Sequence, residues 1–132
     1  MDRRNMSPAR LLIIDDHDTV REALAARLST AAGVDVVGCT GCWETGLQET
    51  LELKPDVVLL EIKRVDGQGL EALRGLTQQC PCSNVIVLTS YPDAEERIEA
   101  RRMGVSRYLL KDIDTPQLVR EIRDIVRRNA LI

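Results

Sequence analysis

Leu11-Leu12-Ile13-Ile14-Asp15-Asp16-His17 sets four aliphatic side chains in a row and closes the run with two acids. A strand with one wet face alternates apolar and polar residues, whereas a continuous run suits a strand buried on both faces. Similar short runs follow at residues 34–37, 57–60, 85–88 and 108–110, each bounded by polar residues, glycine or proline. Between them the apolar residues adopt a helical period. Val20, Ala23, Leu24, Leu28 and Ala31 form one stripe, Trp43, Leu47 and Leu51 a second, and Leu70, Leu73 and Leu76 a third. Asp93 followed three residues on by Glu96 reads as a capping box opening a fourth helix. Its apolar face is thin, mainly Ala94 and Ile98, so it is expected to be the most weakly held. Thr115-Pro116 opens the last helix as a capping hydroxyl followed by proline at the first helical position, and its stripe is Leu118, Val119, Ile122, Ile125 and Val126.

Five strand–helix pairs with short connections imply an α/β domain: a five-stranded parallel, doubly wound sheet with helices on both faces and right-handed crossovers. All strand C-terminal ends then share one edge, where such sheets bind ligands. The residues closing the apolar runs are therefore the candidates for chemistry. Asp15 and Asp16 close the first, Glu61 the third, Thr89 and Ser90 the fourth, and Lys111 the fifth. Three carboxylates brought together repel and need a cation or a raised pKa. Either a magnesium ion or Lys111 meets that need.

A chain of 132 residues, 44% apolar and 30% charged, suffices for one buried core and is short for two domains. The expected organisation is a tail at residues 1–9 and one domain at 10–130. A net charge of −3 gives no basic excess for wrapping nucleic acid, and the aromatics, Trp43, Tyr91 and Tyr108, offer no stacking platform. No apolar run approaches a membrane span, and the N-terminal residues do not read as a secretion signal, so a soluble cytoplasmic protein is expected.

The motifs Leu11-Leu12-Ile13-Ile14-Asp15-Asp16-His17, Pro55-Asp56-Val57-Val58-Leu59-Leu60, Val87-Leu88-Thr89-Ser90 and Tyr108-Leu109-Leu110-Lys111-Asp112 resemble the signatures of response-regulator receiver domains of two-component signalling. The resemblance covers about residues 10 to 130. The Tyr-Leu-Leu-Lys-Asp segment and the Thr-Pro helix start are similar to the NarL/FixJ subfamily, which commonly attaches a helix-turn-helix DNA-binding domain. The resemblance implies a flavodoxin-like strand order 2-1-3-4-5, with Asp15, Asp16 and the acceptor carboxylate as magnesium ligands. It also implies Lys111 as partner of the acceptor or its phosphoryl group, Thr89 as a phosphoryl hydrogen-bond donor, and Tyr108 as the aromatic that reports the state of the site. Expected partners are a sensor histidine kinase and a second copy, docked through the surface of the fourth helix, fifth strand and fifth helix. DNA would be contacted only through a further C-terminal domain.

Position 61 departs from that pattern. From Glu61 to Glu71 the chain aligns with a family stretch that begins with Asp and has Pro four residues later; here Glu61 and Val65 stand in those places. The extra methylene advances the carboxylate by about 1.5 Å, and an offset of about 1 Å can cost on the order of a hundredfold in an in-line transfer. Phosphotransfer is therefore expected to be lost or severely slowed. Three readings of Glu61 follow. It pairs with Lys111 and fixes one conformation, it reaches toward Thr89 and Lys111 and partly mimics the phosphorylated state, or it remains a slow, metal-dependent acceptor. The leading expectation is a non-enzymatic, phosphorylation-independent receiver, the regulatory half of a LuxR/NarL-type transcription regulator. A phosphoacceptor switch and a stand-alone adaptor are its rivals.

Other features carry less. Cys39-x-x-Cys42 and Cys80-x-Cys82 resemble a zinc set only superficially, since the fold sends the pairs to opposite sheet edges; reduced thiols are expected. His17 reads as a loop or capping residue at the first helix. Arg120, Arg123, Arg127 and Arg128, interleaved with Glu121 and Asp124, read as a solvated face. Gly67 and Gly69 lack a phosphate-loop context and read as turn residues.

Overall fold

A computed structural model describes residues 7–130 of the chain. The order is β1 (Ala9–Ile14), α1 (Asp18–Ser29), β2 (Val34–Thr40), α2 (Trp43–Leu53), β3 (Val57–Leu60), α3 (Gly69–Gln79), β4 (Asn84–Thr89), α4 (Ala94–Arg102), β5 (Arg107–Leu110) and α5 (Thr115–Ala130). The strands form one parallel sheet in the order β2-β1-β3-β4-β5, as expected. Most of the expected tail, residues 1–6, lies outside the described residues, and Ala9 already belongs to β1.

Because successive strand residues point to opposite faces, one apolar run feeds two cores. Leu11, Ile13, Val57, Leu59, Ile86 and Leu88 pack with Leu24 and Leu28 of α1 and with Leu118, Ile122 and Ile125 of α5. Leu12, Ile14, Val58, Leu60, Val85 and Val87 pack with Ala72, Leu73 and Leu76 of α3 and Ala100 of α4. This double burial explains why the runs are continuous rather than alternating.

The helical stripes are narrower than their sequence periodicity. Val20 and Ala23 of α1 are exposed, and α2 turns Gly46 and Thr50 inward while Leu51 faces outward. A Cβ on Gly46 would lie 2.4 Å from Ile14 Cδ1, so α2 approaches the sheet on its smallest residue. The expected face of α4 is corrected: Ala94 and Ile98 are exposed, and Ala100 is the residue the helix buries. The reason lies in its first turn, where Glu96 is drawn inward by polar partners. Asp93 does cap α4, accepting from Glu96 N–H at 3.0 Å. At α5 the capping side chain is Asp114, which accepts from Gln117 N–H at 2.8 Å, whereas the Thr115 hydroxyl accepts from Arg27 Nε at 3.0 Å.

Candidate functional site

The sheet ladder continues one residue past the strands and thereby aims the site. Asp15 N–H donates to Thr40 O at 3.0 Å, Glu61 N–H to Ile14 O at 3.0 Å, and Lys111 N–H to Thr89 O at 2.9 Å. Asp15, Glu61, Thr89 and Lys111 are thus fixed by backbone bonds on the C-terminal edge, where strand order reverses around β1 and β3.

Asp15 and Glu61 are each 2% exposed, so their charges need compensation within the protein. Lys111 supplies it. Its Nζ lies 2.5 Å from Asp15 Oδ2 and 3.0 Å from Glu61 Oε1. The remaining lone pairs of Glu61 are also used: Oε1 accepts from Ser90 N–H at 3.4 Å and Oε2 from Lys63 N–H at 3.1 Å. The space enclosed by Asp15, Glu61, Lys111 and the aliphatic residues beneath them leaves no room for a water-sized molecule. A recess of about 140 Å³ opens beside it, bordered by Thr89, Ser90, Pro92, Leu110, Lys111 and Asp112.

Thr89 is fully buried, and its Oγ1 accepts from Tyr91 N–H at 3.1 Å rather than bonding Glu61. Tyr108 turns toward α4. Its hydroxyl donates to Glu96 Oε1 at 3.2 Å and accepts from Asp93 N–H at 3.3 Å, while the Arg97 guanidinium lies 5.4 Å from the ring centroid. Burial, above all, pushes the phenol pKa above its ordinary value of 10.0.

The acidic pair acquires a neighbour that sequence reading set aside. His17 occupies the residue before α1, yet its side chain makes no cap. Its Nδ1 lies 3.0 Å from Asp15 Oδ1 and 3.3 Å from Asp16 Oδ1. Asp16 Oδ2 accepts from Val65 N–H at 2.7 Å, while its buried Oδ1 receives no hydrogen bond. Among the described residues, Asp15, Asp16 and His17 are therefore the group whose ligand atoms, within 4.8 Å of one another, could meet a metal ion. The expected third carboxylate, Glu61, has both oxygens turned to Lys111, Ser90 and Lys63. An open carboxylate oxygen beside a second carboxylate suits a hard cation such as magnesium, and the imidazole nitrogen does not.

Two residues of the β3–α3 connection were not identified as site residues from sequence. Lys63 contributes its backbone to Glu61 and its ammonium to Glu96 and Asp93, at 3.3 and 3.7 Å. Arg64 is buried, donating to Gly41 O at 2.8 Å and to Asp66 at 3.1 Å, which pins this loop to the β2–α2 loop. The charged pair Lys63-Arg64 in the connection after a strand end is the available signal, but charges in a loop carry no indication of which will fold inward. The four cysteines are free thiols; burial pushes Cys39 and Cys80 above the ordinary thiol range, Cys39 against the opposing effect of Arg21.

Residues 11–123 match the response regulator receiver domain family. The chain is 32% identical over 123 residues to the DNA-binding transcriptional activator DevR/DosR of Mycobacterium tuberculosis, covering 93% of this chain and 57% of that protein. It is 34% identical to the response regulator protein VraR of Staphylococcus saprophyticus, covering 88% of this chain and 56% of that one. The chain thus spans little more than half the length of these curated relatives. A two-component response regulator of the LuxR family from Aurantimonas superposes with a TM-score of 0.82 at 26% identity, covering 92% of this chain and 87% of that structure. By sequence match and by the parallel fold that assembles its acidic edge, the chain belongs to the response regulator receiver domain family.

Proposed function

We propose that this chain is an atypical, non-enzymatic receiver that signals from one ion-paired conformation without phosphorylation, with Glu61 at the acceptor position. The observation that carries the reading is Lys111 held between Asp15 and Glu61, with Ser90 N–H and Lys63 N–H completing the shell of Glu61. These donors surround the place where an acceptor would carry its phosphoryl group, and the Glu61 carboxylate already engages them. Thr89 makes no bond to Glu61, which favours a fixed site over mimicry of the phosphorylated state.

Asp15 and Asp16 would hold a magnesium ion, with Asp16 Oδ1 the open donor; such an ion would supply charge neutralisation at the acidic edge. Residues 10–130 then act as the cytoplasmic regulatory unit of a LuxR-type transcription regulator. That unit dimerises through the α4–β5–α5 face and contacts DNA only through a further domain. A sensor kinase, if one docks, would not transfer phosphate to Glu61. Among the described residues no helix is long and apolar enough to cross a membrane.

Calorimetric titration with beryllofluoride and magnesium tests this reading, because that anion assembles on a receptive acceptor carboxylate as a phosphoryl analogue. With the protein already equilibrated with magnesium, no saturable binding of beryllofluoride is expected. Stoichiometric binding lost in Glu61→Ala would overturn it.

A further inference from the structure

The first turn of α4 is held by polar contacts more than by packing. Along its length α4 buries only Ala100, so few apolar contacts oppose local opening. Its N-terminal turn is instead gripped from two sides. On one side Tyr108 donates to Glu96 Oε1 and accepts from Asp93 N–H, with Arg97 stacked over the ring. On the other, Lys63 reaches Glu96 Oε2 at 3.3 Å and Asp93 Oδ2 at 3.7 Å. Glu96 therefore spends one oxygen on each neighbour, and it is only 12% exposed.

Lys63 is also bonded in the opposite direction. Its N–H donates to Glu61 Oε2 at 3.1 Å, fixing the backbone two residues after the acceptor position. One residue thus touches the buried carboxylate with its main chain and α4 with its side chain.

We infer that Lys63 is a positioning residue that couples the side chain at position 61 to the first turn of α4. The route Glu61–Lys63–Glu96–Tyr108 makes no use of the Thr89 hydroxyl, which is committed to Tyr91 N–H. Shortening or removing the carboxylate at 61 frees the Lys63 backbone, loosens the ammonium from Glu96 and Asp93, and lets the α4 turn open. In the protein as it stands, a partner reading α4 meets a first turn held in place from Glu61 without any phosphoryl group. This inference shares the reading of Glu61 as a carboxylate fixed in place.

The test is hydrogen exchange of the full chain, followed across residues 94–102 in the absence of any phosphodonor. A half-exposed ion pair joined to a buried carboxylate should change α4 exchange by about threefold. Lys63→Ala and Glu61→Ala are each expected to speed exchange in α4 by about that factor, with the β-strands unchanged in Lys63→Ala and Lys63→Arg restoring slow exchange. Together the two substitutions should add little to either one, because both cut the same chain. Unchanged α4 exchange in Lys63→Ala, or effects that simply multiply in the double variant, would overturn the coupling. Since no phosphate is supplied, uptake of phosphate in a separate experiment bears on the proposed function and leaves this result intact.

Discussion

Lys111 and Glu61 form a buried ion pair, Nζ to Oε1 at 3.0 Å, and the same ammonium also holds Asp15. The pair joins the end of β5 to the end of β3 across β4. One lysine thereby serves as the cation that a cluster of acids on this edge requires.

Removing that cation should be costly. Lys111→Met strands two carboxylates that are each 2% exposed, and breaking a buried pair by deleting one partner typically costs about 3–5 kcal/mol. Urea unfolding should show a loss of that order. Adding Glu61→Gln to Lys111→Met should recover part of the loss, since one of the stranded charges disappears. Stability unchanged in the single variant would contradict the buried pair.

The loop that carries Lys63 depends on one glycine. A Cβ at Gly69 would lie 1.7 Å from Ile62 O, closer than any real contact. Gly69→Ala must displace the 62–69 backbone, at a cost of about 1–3 kcal/mol or more. Thermal unfolding should register the loss, and amide shifts of Lys63 and Val65 should move with it. By contrast, Gly67 has φ +74 and open space around it, so its requirement is conformational rather than steric.

Acid should release α4 through Asp93. The capping N–H of Glu96 above all, and then Lys63, hold the Asp93 carboxyl below its ordinary value of 3.8. A lowered folded-state pKa means that the stabilisation is present above 3.8 and is lost as pH falls through the folded value. Wild type should therefore melt above Asp93→Ala at neutral pH, and the gap should close on acidification below 3.8. A gap that stays constant through that range would contradict the capping role.

Much of this architecture is legible in the sequence because burial on both faces of a sheet leaves a one-dimensional trace. The continuous run from Leu11 to Ile14 signals a central strand, and the polar residues closing such runs, Asp15, Glu61, Thr89 and Lys111, meet at one edge because the strands are parallel. Periodicity was less informative for α4. Ala94 and Ile98 share a helical face, but Glu96 is drawn inward by Lys63 of the β3–α3 connection and Tyr108 of β5, long-range contacts that no local pattern encodes. His17 against the acids and the buried guanidinium of Arg64 are legible only in three dimensions for the same reason. Thr115 was a plausible cap by composition, yet Asp114, one residue earlier, provides the stronger acceptor.

The proposed loss of phosphorylation turns on the reach of one side chain, so the decisive comparison is between Glu61 and the shorter aspartate. Wild type and Glu61→Asp are incubated side by side with acetyl phosphate and magnesium, and their intact masses are recorded. The account predicts no phosphoryl adduct on wild type and an adduct on Glu61→Asp, whose shorter carboxylate withdraws from Lys111 and opens the site. A stoichiometric phosphoryl adduct mapped to Glu61 in wild type would contradict it.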